Sequence, residues 1–588
     1  MTEVEAPLAG TQPDSITYID TRRLQIGCWA ALIAIAIVRA WFTRYEFGGD
    51  SVSYLDIGRA IAEGHPGAAV NAYWSPGYPV LLSPFLWVFR PNAFWECPLA
   101  HFVNVLIFAG TLASFQLFWS EVRVWHRNYS EHVGPAIPEN AFWALGYSLF
   151  AIATLNVIPL GLVHPDLLVA AFCCLAGWAM LRFRRTPSMG RALLLGLMLA
   201  LGYYAKAPFF PMGFVFVLCA CFEWPLSRRT FLLGGTALAV FLLVSAPFIA
   251  SLSRAKGRLT FGDSARLNYA FYIDGVQHFE HWQGGPPGTG MPIHPTHKLN
   301  DFPEVYEFAA VKNMGTYPPW FDPTYWYEGI TPHFERKRQA KFFVANLILE
   351  FQIIVDSAAG LLCAAMILAL LASDRRRLIK EFSQLWFLWV PGAVAFLMFA
   401  LVHVEPRFLG GWLILLFVGA ICVCSLPEDG STLRAASCVG FAALITAAAA
   451  LVSQASQEAL KAEYAAGRNP GNTLIADYLS NNSLRPGAQV AVIGDGMYVY
   501  WAHLARLHVV AEIPANTGLF QVHPAHDFWE SGPEQQEHSL GILAKTGAEA
   551  VIAFPQGLVE GSEPSIVPAP WKKIDGTDAY VYFFRANP

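Results

Sequence analysis

Residues 76–89 read Pro76-Gly77-Tyr78-Pro79-Val80-Leu81-Leu82-Ser83-Pro84-Phe85-Leu86-Trp87-Val88-Phe89, and Arg90-Pro91 follow. How this run is read sets the orientation of everything after it. It is apolar, but it falls short of the roughly 20 residues that cross a bilayer. It also holds three prolines. We read it as a helix lying in the membrane interface. Eleven further apolar runs are read as spans, at about 24–42, 100–120, 140–158, 164–182, 192–205, 207–222, 230–251, 344–372, 384–402, 408–425 and 433–453.

Basic residues favour the cytoplasmic side of a membrane protein, which tests this choice. With a cytoplasmic N-terminus, the inner segments carry Arg22 and Arg23; Arg123 and Arg127; Arg182, Arg184, Arg185 and Arg191; Arg228 and Arg229; Arg375, Arg376, Arg377 and Lys380; and Arg434. Every inner segment is basic. Counting 76–89 as a span would put Arg123 and Arg127 outside and invert all later loops. The expected fold class is therefore a polytopic α-helical membrane protein with about eleven transmembrane helices and a small α/β extracytoplasmic domain at its C-terminus.

Composition agrees. The 588 residues are 55% hydrophobic and 14% charged, where soluble domains carry roughly 25% charged residues. A net charge of −5, with no stretch that pairs Lys/Arg clustering with a soluble basic domain, gives no footprint for nucleic acid. Ten cysteines are present, and all but Cys97 lie in or beside apolar runs, which argues against a disulfide framework. The polar, acidic start, 1–20, lacks the basic opening and cleavage site of a signal peptide, so the first span is expected to remain as an anchor in the plasma (inner) membrane.

The domain reading is a cytoplasmic tail at 1–23, a membrane domain at 24–453 and an outer domain at 454–588. The outer face then gains a first loop, 43–99, and a long loop, 252–343. In the outer domain, β-like runs at 489–493, 508–513, 548–554 and 579–584 alternate with helical stretches at 473–481, 498–506 and 534–546, as in a small α/β sheet. Ile493-Gly494-Asp495-Gly496 lacks the full glycine fingerprint of a nucleotide loop and reads as a tight strand-to-helix turn.

Ionisable residues gather at the outer ends of spans. Asp50 follows the first span in Gly48-Gly49-Asp50-Ser51-Val52-Ser53-Tyr54. One reading makes Ser51 an N-cap and Asp50 a helix-start charge; the other makes Asp50 a functional group at a membrane boundary. Lys206, in Tyr204-Ala205-Lys206-Ala207-Pro208, either snorkels to headgroups or holds an anion. In His403-Val404-Glu405-Pro406-Arg407-Phe408, Arg407 either pairs locally with Glu405 or grips a phosphate with its planar fork. In His164-Pro165-Asp166, Asp166 either caps a helix or joins the same polar face. An acid and cations at one depth suit chemistry on a phosphate-linked lipid, whereas transporters place charge nearer the bilayer midplane. Aromatics in the long loop, Tyr269, Phe271, Tyr272, Trp282, Tyr317, Trp320, Tyr325, Trp326 and Tyr327, read as interface anchors and loop packing ahead of sugar stacking. His294 and His297 stand three apart in a Pro/Gly-rich loop with no paired carboxylate, so no metal-ligand spacing is indicated.

Taken in order, Asp50 with Tyr54, Ser75-Pro76-Gly77-Tyr78-Pro79, Tyr204-Ala205-Lys206-Ala207-Pro208 and Glu405-Pro406-Arg407-Phe408 resemble the GT-C superfamily of membrane glycosyltransferases. The resemblance is to the branch of protein O-mannosyltransferases and the lipid A aminoarabinose transferase, and it covers about 24–425. Two positions depart from it: Ser51 stands where many relatives have a second carboxylate, and Gly77-Tyr78 differs in the proline motif. The resemblance implies a polyprenyl-phosphate sugar donor, Asp50 as the catalytic carboxylate, and Lys206 and Arg407 on the donor phosphate. Tyr54, Tyr78, His164, Asp166, His403 and Glu405 are candidate substrate contacts. The expected function is a polyprenyl-phosphate-sugar-dependent hexosyl- or pentosyltransferase acting on a lipid, glycan or protein hydroxyl at the outer face, surrounded by membrane lipids. The alternative is a lipid-linked sugar flippase without catalysis, which should show polar residues within spans and internal repeats.

Overall fold

The computed structural model describes residues 20–133, 136–222, 227–274, 296–308, 315–323, 331–372, 375–424, 426–464, 470–482, 484–494, 496, 499–515, 523–555 and 570–584. His294, Trp282, Tyr325, Trp326, Tyr327 and Asp495 lie outside the described residues.

The chain begins with helices α1 (Thr21–Phe42), α2 (Gly49–Ala62), α3 (Gly77–Phe89), α4 (Ala93–Val133) and α5 (Glu139–Ala151). It continues with α6 (Asp166–Arg185), α7 (Met189–Ala205), α8 (Phe209–Cys221) and α9 (Arg228–Lys256). Later come Arg336–Leu371, Trp386–Ala400, Pro406–Cys422 and Gly430–Tyr464. Each run read as a span thus forms a helix, but their lengths differ. Six are long and apolar enough to cross a membrane: α1, α4, α6, α9 and the helices from Arg336 and Gly430. Leu378–Gln384 with Trp386–Ala400, bent by 79°, makes a seventh if counted as one span. The chain is an integral membrane protein built on these helices. Helices α7, α8 and Pro406–Cys422 are shorter apolar helices of 17, 13 and 17 residues.

The bundle packs α4 on α6, α7 on α9, α5 on Gly430–Tyr464, and Trp386–Ala400 on Pro406–Cys422. Small residues allow the last contact. A Cβ on Gly392 would stand 2.5 Å from the Leu416 nitrogen, so only glycine lets these helices approach this closely. The first and last long helices are tied by charge. Buried Arg39 on α1 reaches Glu458 through Nε at 2.9 Å and also donates to the Leu155 carbonyl.

Helix α3 has 13 residues. Tyr78, Leu82 and Leu86 are buried on one side, while Trp87, Val88 and Phe89 are exposed, the two-faced pattern of an interfacial helix. Arg90 ends it in the left-handed conformation, φ 43°.

One sheet has seven strands in the order β1-β2-β4-β3-β5-β7-β6. Strands β3 (Gln489–Gly494), β4 (His508–Pro514), β5 (Ala550–Ala553) and β7 (Tyr580–Phe583) form where the alternation placed them, with β6 (Lys572–Lys573) at the edge. Strands β4, β3 and β5 run parallel and are mostly apolar, as expected of buried parallel strands, with Glu512 buried in β4. The surprise is the other edge. β1 (Thr296–Asp301) and β2 (Glu304–Phe308) come from the long loop between α9 and Arg336, and β2 pairs antiparallel with β4. The loop and the C-terminal region therefore share a single sheet.

Candidate active site

Helix α2 starts at Gly49, one residue before Asp50. Ser51 is not its N-cap. Its Oγ instead accepts the Gly48 N–H at 3.0 Å and the Val163 N–H at 3.3 Å. The hydroxyl so closes the first turn and holds the segment before α6 against it. Asp50 is left in that first turn with its side chain 22% exposed, where the partial positive end of the helix favours a carboxylate.

Arg407 lies in the first turn of Pro406–Cys422, the end where the helix dipole disfavours a cation. Carboxylates hold it there. Its Nη2 donates to Asp50 Oδ2 at 2.8 Å and its Nε to Glu405 Oε2 at 2.6 Å. His403 Nε2 donates to Glu405 Oε1 at 3.2 Å, and the His403 ring stacks on Tyr272 with centroids 3.6 Å apart and planes within 1°. Burial opposes charge on Glu405, but the His403 hydrogen bond and the Arg407 guanidinium outweigh it and hold the carboxyl down at about 2. Glu405 is therefore ionised across physiological pH and fixes the Arg407 fork.

The second group forms around Asp166, at the start of α6. Lys206 Nζ donates to Asp166 Oδ1 at 2.6 Å. His164 places Nδ1 3.1 Å from Asp166 Oδ2, and its Nε2 donates to the Pro159 carbonyl at 3.0 Å. Lys206 thus turns to a buried carboxylate rather than to headgroups. Two motifs far apart in sequence position it. Ser75 Oγ accepts the Ala207 N–H at 3.0 Å, and a Cβ on Gly77 would stand 2.7 Å from the Tyr204 carbonyl oxygen. The Ser-Pro-Gly run is the seat for the Tyr204–Ala207 turn, and Gly77 permits that contact.

The Phe408 ring joins the two groups, with Lys206 Nζ 3.9 Å and Arg407 Cζ 5.3 Å from its centroid. Tyr54 lies between them, packed edge-on against Trp74 and Tyr78. Burial drives its phenol well above the usual range, the charges of Asp50 and Asp166 add to this, and Arg407 opposes it. Tyr272 is pushed up to about 12 by burial and by Glu405 and Asp50. Both phenols stay protonated beside carboxylates. Tyr78 is different: it is fully buried and its hydroxyl donates to Asn104 Oδ1 at 2.8 Å, a packing position beneath Tyr54. The sequence reading did not single out Tyr272 and Phe408 for the site; the only signal for them was the aromatic loop and the residue after Arg407.

Beside these residues opens a cleft of ≈ 450 Å³ lined by Gly48, Gly49, Asp50, Asn156, Pro159, Leu162, Glu405 and Arg407. It presents two carboxylates, Asp50 and Glu405, on either side of an oriented guanidinium. Among the described residues no group of three or more His, Cys, Asp or Glu is arranged to hold a metal ion; His297 lies on β1 opposite Glu307.

Helix α2 is also fixed from its other side. Asp56 accepts the Thr316 N–H at 2.5 Å and faces His503 Nδ1 at 2.9 Å, and His503 Nε2 faces Glu96 at 2.8 Å. This fully buried imidazole ties α2 and α4 to the sheet domain.

Crystal structures of ArnT from Cupriavidus metallidurans are similar to this chain in fold. The apo form aligns with TM-score 0.51 at 11% identity over 95% of this chain and 98% of that one. The form bound to undecaprenyl phosphate aligns with TM-score 0.51 at 12% identity over 94% and 97%. The Archaeoglobus fulgidus oligosaccharyltransferase tethered with an acceptor peptide aligns over 90% of this chain and 69% of that one, at 13% identity and TM-score 0.40. No family model and no curated protein matches the sequence.

Proposed function

We propose, starting from its GT-C membrane glycosyltransferase fold, that this chain moves a sugar from a polyprenyl-phosphate donor to an acceptor hydroxyl at the outer face of the membrane. The observation that carries this reading is the Asp50–Arg407 contact at the cleft, 2.8 Å, with the Lys206–Asp166 pair beside it. That an ArnT structure holds undecaprenyl phosphate supports a lipid-linked donor for this cleft too.

In the proposed reaction the acceptor oxygen bonds to the anomeric carbon as the bond from that carbon to the phosphate oxygen breaks. The electron pair leaves with the polyprenyl phosphate. The acceptor proton passes to Asp50, a contribution of typically about a hundred- to ten-thousandfold. The sugar passes through an oxocarbenium-like state, and the phosphate gains charge as it departs. Arg407 and Lys206 stabilise that charge more than they stabilise the bound donor. Arg407 has a second effect. While paired with Asp50 its guanidinium occupies one carboxylate oxygen, and a donor phosphate that draws the guanidinium away frees that oxygen for the acceptor. Tyr54 and Tyr272, kept protonated, donate hydrogen bonds to the substrate. The membrane orientation in this reading puts the N-terminus in the cytoplasm and the sheet domain outside, in the plasma (inner) membrane.

The test uses purified protein, a polyprenyl-phosphate sugar and a membrane-fraction acceptor. Release of polyprenyl phosphate that depends on the acceptor is expected. Movement of the donor between leaflets without release would favour a flippase. A reporter fused after Leu460 is expected outside; a cytoplasmic signal would reverse the orientation.

A further inference from the structure

Helix α2 has 14 residues, about 20 Å at 1.5 Å per residue, and a second cleft of ≈ 370 Å³ lies at the end away from Asp50. Its lining brings together Arg59 from α2, Arg90 from the end of α3 and Arg506 from the sheet domain, with Glu63 and Glu96. With Asp56, which accepts from Arg59, three carboxylates stand against the three guanidiniums. Arg506 is paired with Glu96. Arg59 is 3.3 Å from Asp56 but 4.0 Å from both Glu63 and Glu96, and its buried Nη1 has no hydrogen-bond partner. Arg90 is exposed and makes no side-chain hydrogen bond or ion pair among the described residues. Two of the three arginines are also unusual in backbone. Among the described residues, Arg90 (φ 43°) and Arg506 (φ 59°) are the non-glycine residues with positive φ, a conformation that a Cβ disfavours.

The cleft adjoins a second depression. Pro91 lines it and also lines an apolar groove of ≈ 700 Å³ that runs down between α1 and α4. On α4 the groove extends from Trp95 to Ala109, about 20 Å of helix, which reaches the depth of one leaflet of a roughly 30 Å hydrocarbon core. Its walls include Ile37, Phe89, Phe102 and Leu106, all more than 40% exposed. The Arg90 guanidinium, with no side-chain partner among the described residues, above and a leaflet-deep apolar trough below are complementary to one kind of molecule.

We propose that cleft and groove form one binding site for a phosphate-headed lipid. The phosphate lies among Arg59, Arg90 and Arg506, where planar forks suit phosphate oxygens, and a hydrocarbon chain fills the groove along α1 and α4. The site shares no lining residue with the cleft at Asp50, and the inference stands whether or not glycosyl transfer occurs there.

The experiment places the full-length chain in phosphatidylcholine nanodiscs containing a minor fraction of phosphatidic acid and measures co-purified lipid by native mass spectrometry. Wild type is expected to retain phosphatidic acid over phosphatidylcholine. Arg90→Gln, which breaks no internal pair, is expected to cut that enrichment about tenfold, the size of one lost charge-assisted hydrogen bond. Leu106→Trp, which fills an exposed part of the groove, is expected to lower retention of the lipid but not binding of inorganic phosphate. Unchanged enrichment in both variants would overturn the site. Full displacement of the lipid by inorganic phosphate, together with normal retention in Leu106→Trp, would reduce it to a free-phosphate site and contradict the lipid assignment.

Discussion

Asp50 and Asp56 stand on the same helix, six residues apart, and their surroundings differ sharply. Asp56 is 2% exposed and saturated by Thr316, His503 and Arg59. Among the described residues Asp50 has one side-chain partner, Arg407, and it opens onto a cleft. A carboxylate with every lone pair engaged holds elements together. A carboxylate with one movable partner at a cavity wall can take a proton. In the proposed reaction one helix therefore carries an anchor on its buried side and the proton acceptor at its open end.

This contrast can be broken from the anchor's side first. Asp56→Asn leaves the His503 cation short of a partner in the interior, and loss of one member of a buried pair costs about 3–5 kcal/mol. Thermal unfolding in detergent is expected to shift accordingly, while polyprenyl phosphate release per folded molecule stays within a few-fold of wild type. Next comes the movable partner. Arg407→Lys cannot reach Asp50 and Glu405 together, and kcat/KM for the donor is expected to fall about 10- to 100-fold, or roughly 1.4–2.7 kcal/mol, with unfolding little changed. The seat of Lys206 gives a smaller effect. Ser75→Ala strips the buried Ala207 N–H of its acceptor, at a cost of about 1–3 kcal/mol, read as a lower unfolding midpoint.

The smallest effect is in pH. Burial lowers the proton affinity of His503, but hydrogen bonds to Asp56 and Glu96 and their charges reverse this, so its folded pKa is raised above 6.5. A raised pKa means that its stabilisation is complete below 6.5 and is lost as pH rises through the folded value. The unfolding midpoint of wild type is expected to decline on the alkaline side, and His503→Gln is expected to remove that decline. A midpoint that rises with pH in this window would contradict the charged anchor.

Much of the architecture could be read from the chain. Long apolar runs between arginines announce helices, and three prolines with Arg90-Pro91 mark α3 as a helix that does not span. The set Asp50, Asp166, Lys206 and Arg407 was visible because each interrupts apolar sequence. Their pairing was not. Arg407 meets Asp50 across 357 residues, and local periodicity carries no information on which helix neighbours which. Ser51 looked like an N-cap because its residue type favours that place, but the Gly48 N–H takes its oxygen from the third helical position. β2 was hidden for a related reason: its partner strand β4 lies some two hundred residues away, and with β1 it sits in a loop whose aromatics pointed to the membrane. His503, the hub of the anchor, gave no signal in a sequence without a motif around it.

The account turns on Asp50 as the proton acceptor. The direct measurement is acceptor-dependent release of polyprenyl phosphate by Asp50→Asn, set beside wild type at matched unfolding midpoints. The expected result is a loss of about a hundred- to ten-thousandfold in a protein that remains folded. Release at the wild-type rate from folded Asp50→Asn would contradict it.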